Sequence, residues 1–135
     1  MKTSQVLVAA AALAAAIVTT ASASSSALNL RSATIAKRHV VVVYTLGADL
    51  APGRLVVATR PQTEPNGRFV QSNIRFSEPL GGTKVAGGAF RMRSRHTVGR
   101  GRYYAEVSGT VVGLDCTPKK PCKTDWSNVR RVVVK

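Results

Sequence analysis

Apolar and polar positions in this chain alternate with a period of two over most of its length. In residues 89–98, AFRMRSRHTV, Phe90, Met92, Ser94 and His96 share one parity, and Arg91, Arg93 and Arg95 share the other. That is the pattern of a strand with one face inward. In residues 99–113, GRGRYYAEVSGTVVG, Tyr103, Ala105 and Val107 fall on one face and Tyr104, Glu106 and Ser108 on the opposite one. HVVVVYTL (39–46) is a continuous β-branched run, as a core strand buried on both sides can be. RLVVATR (54–60) and SNVRRVVVK (127–135) read as further strands. RFVQSNIRF (68–76) alternates and then resets at Ile74, which predicts a bulge or two short strands. Between these runs lie GADLAPG, PQTEPNG and SEPLGGTKVAGG, and Asn66-Gly67 is a strong turn pair. There is no sustained helical period and no internal repeat. Six to seven short strands in about 100 residues predict an all-β, two-layer antiparallel sandwich.

The N-terminus breaks this pattern. Lys2 precedes an unbroken apolar run over residues 6–18, and TTASASSS follows, with Ala21-Ser22-Ala23 matching a small-residue cleavage rule. Residues 1–23 therefore read as a secretory signal peptide. The run is shorter than the roughly 20 residues a membrane span needs, and no cysteine stands near the cleavage point to carry a lipid. No stable membrane anchor is expected. Residues 24–36 read as an N-terminal tail, with at most a short edge strand at 33–36, and residues 37–135 as the domain. The expected location is secreted, at the cell envelope or outside it.

Export changes how the two cysteines are read. Cys116 and Cys122 bracket Thr-Pro-Lys-Lys-Pro in LDCTPKKPCKTDWSN. Zinc needs four ligands, and a thioredoxin-like pair needs two intervening residues at a helix start. An exported chain is where disulfides persist, and the prolines at 118 and 121 bend the loop back on itself. A Cys116–Cys122 disulfide is the expectation, and so short a closed loop contributes only about 2 kcal/mol. It would staple a loop, with Lys119, Lys120 and Lys123 on its water-facing tip. Trp126 is expected to pack over this staple rather than to serve as a platform for sugars.

From GRGRYYAEVSG through the two cysteines to WSNVRRVVV, the chain resembles the last strands of fibronectin type III and related immunoglobulin-like sandwiches. It also resembles small secreted actinobacterial proteins that share PGRLVVATRP, GRFV and a Cys-Cys loop before Trp-Ser-Asn-Val. The usual tryptophan of the early core strand is missing, and Arg100-Gly101-Arg102 replaces the proline before the tyrosine strand. The resemblance implies an Ig/fibronectin-III-like fold in which Tyr103 is the corner tyrosine, its hydroxyl bonded to backbone. It further implies recognition or spacing, and no chemistry of its own.

Charge narrows the partner. The chain has 20 Lys and Arg against 6 Asp and Glu, a formal net charge of +14, and arginine outnumbers lysine by 13 to 7. Such a balance attracts polyanions. Arg91, Arg93 and Arg95 lie about 7 Å apart on one strand face and suit phosphate, sulfate or carboxylate groups. Arg68, Arg75, Arg100 and Arg102 would widen that patch. The competing reading is a solvated strand face that discourages edge pairing. The scarcity of aromatics and of recognised motifs argues against a specific nucleic-acid partner. The six carboxylates are scattered, and no nucleophile or phosphate-loop motif appears, so neither catalysis nor a cofactor is expected. His39 and His96 read as structural, and Glu106 as a surface partner for a neighbouring strand's arginine. The expected function is a non-catalytic binding or adhesion module engaging an anionic envelope polymer through Arg91, Arg93, Arg95, Lys119 and Lys120. The alternative is an effector or inhibitor that grips an extracellular protein with the Cys116–Cys122 loop, whose ordering cost is already met.

Overall fold

The computed structural model describes residues 28–112 and 122–134. The signal peptide expected over residues 1–23, Cys116 with its expected bridge to Cys122, and Lys119 and Lys120 therefore lie outside the described residues.

Among the described residues ten strands run in chain order: β1 (Leu28–Ala36), β2 (His39–Leu46), β3 (Leu50–Ala58), β4 (Ile74–Pro79), β5 (Thr83–Lys84), β6 (Ala89–Thr97), β7 (Tyr104–Val111), β8 (Thr124–Trp126), β9 (Arg130–Arg131) and β10 (Val133–Val134). They form two sheets. The first has the order β10-β1-β2-β6-β5, and the second β4-β3-β7-β8 with β9 also on β7. All pairings are antiparallel except β1 with β10. The expected all-β, two-sheet architecture is thus present. The strand count exceeds the expected six to seven because β5, β9 and β10 are two-residue pieces.

The main core lies between the sheets. Leu30, Val40, Val42 and Tyr44 from the first meet Leu55, Val57, Ala105 and Val107 from the second. Here β7 presents its alternate residues as the pattern required, while β2, expected as a continuous core run, turns Val40, Val42 and Tyr44 inward. Tyr44 stacks on Phe90 at 5.7 Å and its hydroxyl donates to the Gly81 carbonyl at 2.5 Å. The polar end of this buried ring is thereby satisfied. Tyr103 is buried, and its hydroxyl points back to the Arg100 carbonyl at a long 3.4 Å.

Several elements depart from the expected boundaries, each for a local reason. Residues 28–36 are a full strand and not a tail, with Leu28, Leu30 and Ala33 buried. A bulge between Leu30 and Ser32 shifts the inward positions from even to odd numbers. Strand β3 begins at Leu50 and takes in Pro52 and Gly53, which were expected in a turn. A register shift between Pro52 and Leu55 accommodates the proline. Any Cβ on Gly53 would stand 2.7 Å from the Ser108 carbonyl oxygen, so only glycine lets β3 approach β7 there. The Ser108 hydroxyl accepts the freed Arg54 N–H at 2.8 Å. The reset expected near Ile74 is present: a short 3-10 turn over Gln71–Asn73 leads into β4, and the register then shifts so that Ala58 pairs with Ile74 and Val57 with Phe76, leaving Arg75 as the extra residue of a bulge. The expected last strand is split: β9 pairs in the second sheet, buried Val132 crosses the core, and β10 pairs in the first.

Strands β1 and β2 are joined by a two-residue hairpin, since Ala36 pairs with His39. Its central residues are Lys37 and Arg38, with φ of 50° and 69°. Positions of this kind favour Asn-Gly, because a side chain in the left-handed region costs about 1–2 kcal/mol per residue.

Candidate functional site

Strand β6 places Arg91, Arg93 and Arg95 outward and exposed, while Met92 and Ser94 are buried. Arg93 stands opposite Val41, and Arg91 stands between Val43 and Thr83. The three arginines line one recess of about 420 Å³ at the sheet edge, bordered by Pro79 and the Gly81-Gly82 backbone. Beside it, Arg91 also borders a shallow groove over Val41 and Val43, whose far side is Ser32 and Thr34. Arg31, in the β1 bulge, lies close enough to meet a Cβ built on Gly87 at 3.5 Å, just before β6 begins. No strand of this sheet contains an Asp or Glu. Among the described residues, the arginine row on its outward face thus has no carboxylate from its own sheet beside it.

The edge that holds this row is finished from the other sheet. Glu78 on β4 is buried, and its carboxylate accepts the Arg95 N–H at 2.8 Å and the His96 N–H at 3.2 Å. The His96 ring donates to the same carboxylate from Nδ1 at 2.7 Å and stacks on Phe76 at 4.8 Å. The carboxylate takes the place of a neighbouring strand's carbonyls. Burial pushes the Glu78 carboxyl up, but the bonds from the His96 ring and from two backbone N–H groups outweigh it, so the group sits below its ordinary value. His96 was expected on the inner face; its side chain is 56% exposed, turned along the sheet margin by this bond. His39 is structural, with Nδ1 2.8 Å from the Ser94 carbonyl.

The remaining arginines do not join the row. Arg68 donates to Gln71 in the 59–73 connection at 2.6 Å, on the second sheet's side. Arg75 is exposed on β4 of that sheet, and Arg100 and Arg102 stand in the β6–β7 turn. Among the loop residues, Lys123 is described and lies 4.0 Å from Asp125.

The expectation for Glu106 is overturned. It is fully buried, on the outward side of the second sheet, beneath the 59–73 connection. Phe69 N–H donates to its Oε2 at 2.7 Å, while Oε1 has no partner. Burial pushes this carboxyl up to about 7, against the pull of the Phe69 N–H and the Arg68 charge. Around it Val56, Ala58 and Phe69 form a second small core with Ile74, Tyr104, Trp126 and Val129. Trp126 packs against this small core, and the cysteine staple it was expected to cover lies outside the described residues. A fully buried glutamate among apolar neighbours carries no sequence signal in a strand whose outward positions are otherwise Tyr and Ser.

Among the described residues, no three of His, Cys, Asp and Glu gather where they could hold a metal ion. No family model, curated protein or solved structure matches this chain.

Proposed function

We propose that this protein is a secreted, non-catalytic binding module of the Ig/fibronectin-III-like class, and that the outward face of its first sheet engages an anionic envelope polymer. The observation that carries this reading is the row Arg91, Arg93 and Arg95 around one recess, on a sheet whose strands contain no carboxylate. A polymer with a repeating phosphate, sulfate or uronate can meet successive guanidinium forks along the strand. Two of the five described carboxylates, Glu78 and Glu106, are buried and offer the surface little counter-charge.

The test measures binding of polyphosphate, heparin, polygalacturonate and neutral dextran at low and near-physiological salt. The Arg91→Ser, Arg93→Ser, Arg95→Ser triple variant is measured beside the native protein. At least one polyanion should bind at near-physiological salt, dextran should not, and the triple variant should lose at least tenfold in affinity. It should also show a shallower salt dependence, since fewer counterions are displaced. Unchanged affinity in the triple variant would sink the reading. If binding then failed in Cys116→Ser, the contact would belong to the cysteine loop instead.

A further inference from the structure

A surface cavity of about 570 Å³ opens at the end of the two-sheet stack, away from the arginine recess. Ile35 and Val134 supply its open apolar wall, buried Val98 lies at its floor, and Lys37, Arg38 and Arg100 stand around it as cations. Among the described residues, no carboxylate lines it. Val134 is 71% exposed, the most exposed large apolar residue among those described. An apolar wall left open to water beside three cations is complementary to a ligand that is apolar at one end and anionic at the other.

The hairpin tip adds a second, independent observation. Lys37 and Arg38 occupy the two central turn positions with positive φ, where Asn-Gly would sit without strain. Backbone strain kept at a rim is a pointer to function. The tip is also fastened to the cavity floor. Val98 N–H donates to the Arg38 carbonyl at 2.8 Å, and Arg38 Nε donates back to the Val98 carbonyl at 3.4 Å. The Arg38 side chain is thereby held beside buried Val98 instead of ranging through solvent.

We propose that this cleft binds a small amphipathic anion, one acyl or aryl chain ending in a carboxylate or a phosphate. The chain lies on Ile35, Val98 and Val134, and the head group meets Lys37, Arg38 and Arg100. This is a site separate from the polymer-binding face proposed above, and neither depends on the other.

The experiment titrates the full-length protein with dodecanoate, dodecyl phosphate, dodecanol and dodecyltrimethylammonium, all below micelle formation. Valine methyl shifts in NMR report the site. At least one of the two anions should bind saturably, at least tenfold tighter than the neutral and cationic chains, with shifts centred on Val98 and Val134. Comparison of the two anions identifies the head group. The Lys37→Asn, Arg38→Gly variant should melt at a higher temperature, because its turn is relaxed, yet lose at least tenfold in anion affinity. Arg100→Gln, which leaves the turn untouched, should weaken binding in the same sense. The Arg91→Ser, Arg93→Ser, Arg95→Ser variant should bind these anions as the native protein does. Dodecanol binding as tightly as both anions would overturn the proposal, as would unchanged affinity in both the turn variant and Arg100→Gln.

Discussion

The outward faces of the two sheets start from the same alternation and end in opposite states. On the first, Arg91, Arg93 and Arg95 remain in water around one recess. On the second, the 59–73 connection folds back across the strands, and Phe69 and Trp126 close a small core over Glu106. Both sets of side chains point away from the main core. Only one set is solvated. An outward position on a strand is thus an opportunity for exposure, and the neighbouring connection decides whether it is used. The same contrast sorts the charges, leaving arginine at the surface of one sheet and burying a carboxyl under the cover of the other.

Removing the cover is the most drastic way to break this contrast. Phe69→Ala should destabilise the protein by about 3–5 kcal/mol, as truncations of buried aromatics do. Trp126 is the only tryptophan and packs in the same cluster, so its fluorescence should shift to the red under conditions where the main core is still folded. Denaturant unfolding followed by tryptophan emission and by far-UV circular dichroism would check both outcomes.

Next in size is a pH effect centred on Glu106. Its folded value of about 7 lies above its ordinary value of 4.5, so the native state holds a proton that the unfolded chain has released between these limits. Stability should fall as pH rises from about 4.5 to about 7, by on the order of 3 kcal/mol, and then level off. Glu78 supplies the opposite limb. Its carboxyl is lowered in the fold, so its contribution is full above the ordinary value and is lost as pH falls below 4.5 through the depressed one. The stability profile should therefore peak near the ordinary carboxylate value. Glu106→Gln should flatten the neutral side and leave the acid side in place. A series of unfolding curves from pH 3 to 8 would show whether it does.

The uncovered face should respond least. With no side-chain partner on the arginine row among the described residues, the Arg91→Ser, Arg93→Ser, Arg95→Ser triple variant should change stability by no more than about 0.5 kcal/mol per site. A large loss by calorimetry would mean that the row has a structural task and would sharpen the comparison in the other direction.

How far the fold could be read depended on whether alternation ran uninterrupted. Strands β2 and β6 were legible almost to the residue, and the parity of β7 placed Ala105 and Val107 inward. Strand β1 was not, because the bulge at Arg31 moves the buried set from Leu28 and Leu30 to Ala33, and a reader counting by twos sees noise. Strand β3 was extended past Pro52 and Gly53, where the Ser108 hydroxyl meets the backbone group that the ladder leaves free. The three arginines of the candidate face were legible from spacing alone. The Glu78 carboxylate that closes their edge was not, since it reaches Arg95 and His96 from the other sheet.

Where alternation ran uninterrupted, as in β7 and most of β6, sequence alone determined which side chains lie on which side of a strand, because the side-chain period of extended backbone is a local property. It determined the all-β character and the outward aim of Arg91, Arg93 and Arg95. Tertiary structure decided which outward residues are wet, which carboxyls lose their water, and how Lys37, Arg38 and Arg100 come to surround one cleft. Those outcomes need a second surface. Glu106 and Phe69 meet across 37 residues of chain, and Arg38 and Val98 across 60. Burial and charge compensation belong to such pairs, and no local pattern contains them.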